Sequence, residues 1–462
     1  MRLYAIPAIA FLSACTLQPR YQRPAAPVAA HYPAFGAAKP EETGWRDFFA
    51  DPRLQALIDI ALRNNRDLRI AALKVEQTRA QYQIARAAFI PALQVQSGAE
   101  RSRIPESVSP TGQSMTRGQY SIGAGIAWEI DFFGKLHSLK DAALAAYLST
   151  AHACRAAEIA LVAQLAKQYL TLRAFDEQLK VTQDALAAAL ESERLVKLRV
   201  DAGVASALDL TDAESAAARA RTNEQNQLRA RAQAENALVL LLGQPLPDNL
   251  PPAAALDPQG ILADLPAGVP SDLLTRRPDI MAAEEMLRAA NAQIGAARAA
   301  FFPSISLTGQ YGMASAALSG LFKAGALAWA FSPNIALPIF RGGAHRAQLD
   351  AARVGKKIAV AQYEKTIQTA FREVADALAA RATDAQHIAA LEQTIAAQRR
   401  RLKLSTLRYQ HGIDGYARVL AAQTDLYAAR QALIAAHLAR WANLVDLYRA
   451  LGGGWRARRA DV

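Results

Sequence analysis

Four stretches of about ten residues alternate between apolar and polar side chains along the chain. In the second stretch the apolar members stand at every other position, as Tyr120, Ile122, Ala124, Ile126 and Trp128. A period of two puts alternate side chains on opposite faces of a β-strand. The pattern predicts strands at about 92–101, 118–131, 303–314 and 326–340. It fits a half-buried sheet of a soluble domain, or strands that face lipid on one side and a polar lumen on the other.

Two much longer segments contain no proline and carry apolar residues at three- and four-residue steps. In the second of them the stripe consists of Val360, Tyr363, Ile367, Phe371, Val374 and Leu378. This spacing predicts α-helices over about 135–202 and 343–411, each about 100 Å long. Gly203 and Gly412 follow them and supply the left-handed conformation that ends many helices. A shorter helix follows each glycine, so we expect helical hairpins over 135–243 and 343–451.

The two halves of the chain repeat each other. The segment Ala-Arg-Ala-Ala-Phe-Ile-Pro at 85–91 returns as Ala-Arg-Ala-Ala-Phe-Phe-Pro at 297–303, an offset of 212 residues. Gly203 and Gly412 are 209 residues apart. Such a near-constant offset indicates a tandem duplication. We therefore assign a first repeat at 51–243, a Pro-rich linker at 244–270 and a second repeat at 271–452.

The N-terminus is typical of an exported protein. Residues 1–14 form a predicted signal peptide, with positive Arg2 followed by a short apolar core. The sequence Leu-Ser-Ala-Cys that ends at Cys15 resembles a bacterial lipobox, which predicts a covalent lipid on Cys15 and an acylated segment at 15–50. Thr16, where an Asp would indicate retention in the inner membrane, favours the outer membrane. An ordinary signal peptide followed by a chance cysteine is the alternative.

Charge and composition exclude some functions. The 462 residues carry a net charge of +12, and residues 453–462 form a basic tail. A basic chain can bind nucleic acid, but the export signal argues against that partner. The seven histidines are scattered without the spacing of metal ligands, and no phosphate-binding loop or nucleophile elbow is present. We expect no enzyme, no metal and no cofactor beyond the lipid.

Four strands are too few to close a barrel, since the smallest membrane barrels use about eight. An open sheet edge in lipid would leave backbone groups unpaired, at a cost of several kcal/mol each. If the strands face lipid, identical copies must therefore share one barrel. Three copies would supply twelve strands.

Several short motifs resemble one known family. They are Ser271-Asp272-Leu273-Leu274, Arg276-Arg277-Pro278-Asp279-Ile280, Ile294-Gly295-Ala296-Ala297-Arg298 and Phe302-Pro303-Ser304-Ile305. Together they are similar to a signature of the TolC-like outer-membrane factors, in particular the lipoprotein efflux branch (OprM-like, NodT-type). Trp45, Asp51-Pro52 and Asp67-Leu68 resemble that family's N-terminal helix. The resemblance covers nearly all of the mature chain.

The resemblance implies an α+β membrane protein with a tandem-duplicated TolC-like fold. Each protomer of a homotrimer would give four strands to a shared 12-stranded outer-membrane barrel, continued by a long periplasmic α-helical barrel. The implied location is the outer membrane, lipid-anchored and extending into the periplasm. The implied partners are a periplasmic adaptor (membrane fusion) protein and an inner-membrane RND transporter. The implied function is a passive exit duct for drugs or other small toxic solutes, opened at its periplasmic tip by adaptor and pump docking.

In that family the far tips of the helical hairpins close the duct, partly through acidic side chains, and also meet the adaptor. The resemblance places a periplasmic gate at Asp414, Tyr416, Arg418 and Asp209. It places adaptor contacts at Asp201, Gly203, Val204, Ala205, Arg408 and Gly412. In a trimer, three copies of Asp414 would form a ring of carboxylates that favours cations. The alternative is that Asp414 caps the returning helix.

Two other functions stay open on the sequence alone. One is the outer-membrane duct of a type I protein-secretion system, and the other is a surface-anchored structural coiled-coil protein. The lipobox and the signature favour small-molecule efflux over protein secretion. A coiled-coil protein would have no need of alternating strands in both halves.

Overall fold

The computed structural model describes residues 16–29, 32, 44–256, 261, 273–274 and 276–453. The predicted signal peptide, Cys15, part of the linker and the basic tail after Gly453 lie outside the described residues. The chain divides into two compact units. Unit 1 comprises Met1–Ala25, Lys74–Ala151 and Ala282–Glu364, and unit 2 comprises Ala26–Leu73, His152–Met281 and Lys365–Val462. Each unit therefore takes segments from both repeats.

Three helices precede the first strand: α1 (Trp45–Phe48), α2 (Pro52–Asn64) and α3 (Arg66–Ala87). The Asp51 carboxylate caps α2 by accepting hydrogen bonds from the backbone N–H groups of Arg53 and Leu54, at 2.8 and 3.4 Å. Pro52 occupies the first helical position, where its missing N–H has no cost. Asn65 is extended, with ψ of 130°, and separates α2 from α3.

Four strands form one antiparallel sheet in the order β1-β2-β3-β4. Their bounds are β1 (Ala92–Ile104), β2 (Met115–Ile130), β3 (Ser304–Ser315) and β4 (Leu327–Ala336). The repeats join where β2 pairs with β3, and Gly123 lies opposite Gly312 at this junction. A Cβ at Gly312 would come within 2.3 Å of the Ile122 carbonyl oxygen, so the glycines permit this close backbone approach.

The large apolar side chains of the sheet are uncovered. Leu93 and Val95 on β1 are 76% and 78% exposed, and Trp329 and Phe331 on β4 are 72% and 64% exposed. A half-buried sheet of a soluble domain would cover such side chains, because contiguous apolar surface of this kind marks an interaction with lipid or protein. The sheet is therefore not half-buried within its own chain, as a sheet of a self-contained soluble domain would be.

The first two strands extend beyond the predicted ends at 101 and 118. Arg103 pairs with Thr116 and Ile104 with Met115, so the connection spans only residues 105–114. The prediction was too short because it followed the apolar alternation, whereas backbone hydrogen bonds determine where a ladder ends.

The fourth strand is shorter than the predicted 326–340 and ends at Ala336. Pro338 follows closely and has no N–H to donate to a ladder. Pro333 lies within β4 opposite Leu307. An edge strand tolerates proline because one side of its backbone has no partner strand.

The remaining helices are long. α4 (Lys135–Asp201) turns back into α5 (Ala207–Leu242), and α7 (Ala344–Gln410) turns back into α8 (Tyr416–Ala450). α6 (Pro278–Ala299) stands before β3 as α3 stands before β1, so the two repeats share the order helix, two strands, long helix and shorter helix. Among the described residues, no helix combines the length and apolar character needed to cross a bilayer.

The apolar stripe predicted on the second long helix is confirmed. Tyr363, Ile367, Val374 and Leu378 on α7 are each at most 3% exposed. In unit 2, the core includes Phe48, whose ring stacks on Tyr448 with centroids 4.3 Å apart and planes within 6°. Helix spacing therefore identified the buried face correctly.

The described part of the linker is fixed to the helices of unit 2. Arg53 Nη1 donates to the carbonyl oxygen of Pro251 at 2.9 Å, and Arg173 Nε donates to that of Ala254 at 3.0 Å. The Glu177 carboxylate accepts from the Leu256 N–H at 2.8 Å. These bonds satisfy backbone groups of a segment that has no regular structure of its own.

Candidate functional site

The two hairpin tips in unit 2 contain the predicted gate and adaptor residues, and their turns share one backbone design. Gly203 and Gly412 both have φ of +69°. The N–H groups of Gly203 and Val204 donate to the carbonyl oxygens of Val200 and Arg199, both at 2.9 Å. Gly412 and Ile413 repeat this arrangement, donating to Tyr409 and Arg408 at 3.0 and 2.9 Å. Each long helix therefore ends in a Schellman motif that requires glycine.

The returning helix of the first tip begins with a capping box. The Ser206 hydroxyl accepts from the Asp209 N–H at 3.0 Å, and the Asp209 carboxylate accepts from the Ser206 N–H at 3.3 Å. Two backbone N–H groups at the start of α5 are thus satisfied by local side chains. The structure gives Asp209 this capping role, while its predicted role in a gate stays a prediction.

The returning helix of the second tip has no such cap. Its N-cap residue is Gly415, which makes no side-chain capping hydrogen bond. The Asp414 carboxylate is instead held by Arg408, whose Nε donates to Oδ2 at 2.5 Å and whose Nη2 donates to Oδ1 at 3.3 Å. Arg418 Nε lies 3.8 Å from Asp414 Oδ1. The capping alternative for Asp414 is therefore not what the structure shows, and we call this group of three residues the tip latch.

The contacts within the tip latch shift the pKa values of Asp414 and Arg408. The hydrogen bonds from Arg408 hold the pKa of the Asp414 carboxyl below its usual value, and the positive charges of Arg408 and Arg418 act in the same direction. The bond to Asp414 also raises the pKa of Arg408. Arg408 and Arg418 are exposed, with side chains 53% and 74% accessible, whereas Asp414 is 15% accessible. Within the latch, Asp414 and Arg408 form an ionised pair at the surface, and an incoming charged group can reach the exposed Arg408 side chain.

Beneath the latch, the two tips pack on each other. Tyr416 is only 2% exposed and lies in an apolar cluster with Val196 from α4 and Ala213 from α5. The ring of Tyr409 lies 5.4 Å from that of Tyr416, and the Arg199 guanidinium lies 4.5 Å from the Tyr409 ring centroid. Burial raises the pKa of Tyr416, so this phenol stays neutral at physiological pH. The apolar cluster around Tyr416 and the cation–π contact between Arg199 and Tyr409 therefore join the two hairpins.

The structure brings together some of the predicted site residues and separates others from them. Asp414, Arg408 and Arg418 come together as the tip latch. Tyr416, predicted to belong to the gate, lies in the packed cluster. The sequence reasoning missed Arg199, although it occupies in the first repeat the position of Arg408 in the second, 209 residues later. That repeat equivalence is the signal that could have revealed it.

Exposed apolar side chains follow the turn glycine in both hairpin tips, and we call these turns the apices. Val204 and Ile413, equivalent in the two repeats, are 64% and 60% exposed. Leu208 is 70% exposed beside the first apex. Asp201, Gly203 and Gly412 are exposed as well, and Ala205 is half-buried. In the part of the chain that the structure describes, no cluster of His, Cys, Asp or Glu could hold a metal ion.

Comparison with known proteins adds a family to this geometry. A family model described as outer membrane efflux protein matches residues 57–244 and 269–453. The toluene efflux pump outer membrane protein TtgC of Pseudomonas putida is 46% identical over 453 residues, which cover 96% of this chain and 93% of that protein. Outer membrane protein OprJ of Pseudomonas aeruginosa is 44% identical over 456 residues, covering 98% and 95%.

A solved structure of an outer membrane channel also matches this chain. The open state of the Neisseria gonorrhoeae MtrE outer membrane channel matches with a TM-score of 0.85 at 40% identity, covering 95% of this chain and 98% of that one. The two stretches matched by the family model fall on the two repeats, which confirms the tandem-duplicated TolC-like fold. The chain therefore belongs to the outer membrane efflux protein family and is an efflux channel protein of the outer membrane.

Proposed function

We propose that three copies of this chain form the outer-membrane exit duct of a tripartite, RND-type efflux system, through which small toxic solutes leave passively. The observation that carries this proposal is the incomplete sheet. In the described chain β1 and β4 each have one strand neighbour, and their apolar side chains are bare. Open edges in lipid cost several kcal/mol per unpaired backbone group, so edges of neighbouring copies would pair.

Reconstitution tests the shared duct. Protein purified in detergent is expected to have the mass of a trimer and to carry an ion current in planar bilayers. A current that appears only with the trimeric fraction would support pooled strands. A stable monomer that gives no current after reconstitution would refute the proposal.

The second hairpin tip is the proposed gate. Three copies of the tip latch around one axis would bring three Asp414 carboxylates, each paired with Arg408, near the duct axis. Because these pairs are exposed, charged groups of an adaptor could exchange with them and release the closed state. An acidic ring would also favour cations during passage.

The exposed apices are the proposed docking surface for the periplasmic adaptor. Val204 and Ile413 are apolar, solvent-exposed and repeated in both hairpins, so a trimer would present six such positions. Photo-crosslinking residues placed at Val204 and Ile413 are expected to capture the adaptor in cells, and the same residue placed at exposed Val108 in the β1–β2 connection should not. Equal capture at all three positions would count against apical docking.

Small-molecule efflux is favoured over type I protein secretion by the relatives. TtgC is named for a toluene efflux pump, and this chain matches it over nearly the whole length of both. A structural coiled-coil protein does not account for the bare four-stranded sheet. A deletion strain is expected to become more sensitive to some members of a panel of antibiotics, dyes, solvents and aromatic acids. Unchanged sensitivity together with the loss of a secreted protein would favour the type I alternative.

A lipid on Cys15 is the proposed membrane anchor in addition to the strands. Cys15 itself lies outside the described residues, and the lipobox-like sequence that ends at it supports the proposal. Mass spectrometry of the mature N-terminal peptide is expected to show acyl groups on Cys15, and Cys15→Ser should abolish them. An N-terminus cut elsewhere and free of lipid would refute the anchor. No cofactor and no catalysis are proposed.

A further inference from the structure

A cavity of about 830 Å³ lies where the sheet meets the helices of unit 1. It is bounded by the end of β2, the start of α4, the end of α6 and the start of α7. All of the residues that line it belong to unit 1. Its volume falls within the range of small-molecule sites, roughly 300–1,000 Å³. We call it the junction cavity.

The junction cavity lies on the polar face of the sheet. Three of the four strand residues that line it, Glu129, Ser304 and Ala336, share that face. The fourth, Ile130, is the last residue of β2. The opposite face carries the bare apolar side chains, such as Trp329 at 72% exposure. In the duct proposed above, the apolar face meets lipid, so the junction cavity faces the lumen.

Aromatic rings supply the apolar part of the junction cavity. Phe133 stacks on Phe302 with ring centroids 4.9 Å apart, and Phe132 meets Phe133 edge-on at 5.6 Å. Phe132 and Phe302 nevertheless stay about half exposed, and the exposed side chains of Leu139 and Leu337 line the same cavity. Such a surface favours a flat aromatic solute, because rings pack on one another in offset or edge-on pairs.

The acidic groups at the junction cavity are already paired within the chain. Lys135 Nζ donates to Glu129 Oε1 at 3.0 Å, which neutralises that carboxylate. The Asp131 carboxylate accepts from the backbone N–H of His137 at 2.7 Å, in the first turn of α4. A cationic solute would have to displace one of these contacts.

Two nitrogen-bearing side chains at the junction cavity are available for a ligand. In the part of the chain that the structure describes, exposed Arg341 forms no ion pair. Both ring nitrogens of His345 are shielded from solvent and have no hydrogen-bond partner among the same residues. A guanidinium binds a carboxylate through two parallel hydrogen bonds, and an imidazole N–H can add a third. The available recognition groups therefore suit an anion.

We propose that the junction cavity is a resting site for aromatic carboxylates on their way through the duct, with the phenylalanine rings holding the aromatic part and Arg341 the carboxylate. The proposal rests on the exit duct proposed above and names one class of solute for it. A trimer would hold three such sites around the lumen. Passage requires binding that is weak enough to reverse, and an exposed guanidinium beside partly exposed rings meets that requirement.

Saturation-transfer NMR of the purified protein in detergent tests the recognition of the carboxylate. The probe is 2-naphthoate, its uncharged analogue is 2-naphthamide, and protein-free micelles give the background. Arg341→Gln should weaken the binding of 2-naphthoate about tenfold and change that of 2-naphthamide little. Arg346→Gln removes an equal charge from α7 outside the cavity lining and should bind both probes as the parent does. No binding above the micelle background, or equal losses in both arginine variants, would overturn the site.

A second pair of variants tests the aromatic part of the site. Phe302→Leu should weaken the binding of both probes about two- to tenfold, because it removes one ring of the stacked pair. Phe340→Leu changes an 88% exposed ring outside the cavity lining and should leave binding unchanged. Equal binding by both variants would refute the role of the rings. If Phe302→Leu fails to fold, the exposed Arg341 variant still decides the site.

Planar bilayers test whether the junction cavity lies on the path of the solute. Saturating 2-naphthoate should reduce the ion current through the parent trimer, and Arg341→Gln should need about tenfold more of it for the same block. An unchanged current at saturation would overturn the resting role. A trimer that conducts but does not bind 2-naphthoate would refute this site and leave the duct standing. A chain that binds 2-naphthoate but neither trimerises nor conducts would refute the duct, and the resting role with it.

Discussion

The two hairpin tips descend from one duplicated unit but secure the start of their returning helices differently. Both turns use glycine at φ of +69° with the same pair of backbone hydrogen bonds. Ser206 of the first tip corresponds to Gly415 of the second, 209 residues later, and Asp209 corresponds to Arg418. The second tip thus has no capping box, and Asp414 there pairs with Arg408.

The first tip is held by a capping box within its own helix, whereas the second is held by an ion pair whose partners can be exchanged. A capping box satisfies N–H groups within its own helix, so a partner cannot replace it without fraying that helix. An exposed ion pair contributes little to stability and can exchange its partner for another charge. The exchangeable ion pair is consistent with the gate proposed at the second tip, whereas the capping box of the first tip holds the start of α5 in place.

Removing the ring of Tyr416 should have the largest effect on this arrangement. Tyr416 occupies the position of exposed Ala207 in the first tip, but it is buried between both hairpins. Tyr416→Ala is expected to lower the free energy of unfolding of the tips by about 3 kcal/mol, because a buried ring leaves a cavity. Hydrogen exchange of the tip amides measures the loss, and Tyr416→Phe, which keeps the ring, is the control. Equal exchange in both variants would contradict the packing role.

Breaking the latch should open the duct without unfolding the tip. Asp414→Ala is expected to raise resting conductance in planar bilayers, on the order of three- to tenfold if three weak pairs open together. Asp201→Ala removes an exposed acid from the first tip and should leave conductance unchanged. If Asp414→Ala leaves conductance at the parent level, Asp414 has no part in the gate.

Removing the cap of the first tip should lower local stability without opening the duct. Ser206→Ala is expected to cost about 1 kcal/mol of local stability at the start of α5. Amide exchange in the first turn of α5 should speed up, whereas resting conductance should not change. A rise in conductance equal to that of Asp414→Ala would show that the two tips do not differ in function.

The cation–π contact between Arg199 and Tyr409 should stabilise the tips less than the Ser206 cap does. Arg199→Ala is expected to destabilise the packing of the two tips by about 0.5–1 kcal/mol, because it removes the guanidinium over the Tyr409 ring. Thermal unfolding of the helical signal measures this effect. Arg219→Ala on α5 is a control for loss of one positive charge. A similar change in both variants would assign the effect to net charge.

Mild acid should have the smallest effect. Because the folded-state pKa of Asp414 is depressed, its stabilising contribution is present above the unfolded value of about 3.9 and is lost as pH falls below that value. Conductance through the native gate should therefore be constant from pH 7 to about pH 5 and rise only below about pH 4. In Asp414→Asn the rise below pH 4 should be absent. An Asp414-dependent rise near pH 6 would contradict the depressed pKa.

Much of the fold followed from local patterns. The helix stripe that contains Ile367 and Val374 marked a buried face, and Gly203 and Gly412 marked the ends of the long helices. These features depend on residues within one or two helical turns of each other, so they can be recognised directly in the sequence. Strand ends were predicted less well, because pairing beyond residue 101 depends on the partner strand.

The candidate site was only partly predictable. Asp414 was predicted to be a gate residue, a role that stays a prediction, whereas its partner Arg408 was assigned to adaptor contact and Arg199 was not identified. The burial of Tyr416 depends on residues of α4 and α5, which lie about two hundred positions away in sequence. Contacts of this range require the folded chain.

The sequence by itself determined the duplicated order of helices and strands, the glycine turns and the alternating faces of the sheet, because these depend on near neighbours and on backbone preferences. Only the tertiary structure decided that Tyr416 is buried, since its neighbours Val196 and Ala213 come from the other hairpin. It also decided that α6 and not α3 contacts residues 16–23, because Arg23 lies more than 260 residues before its partner Glu284.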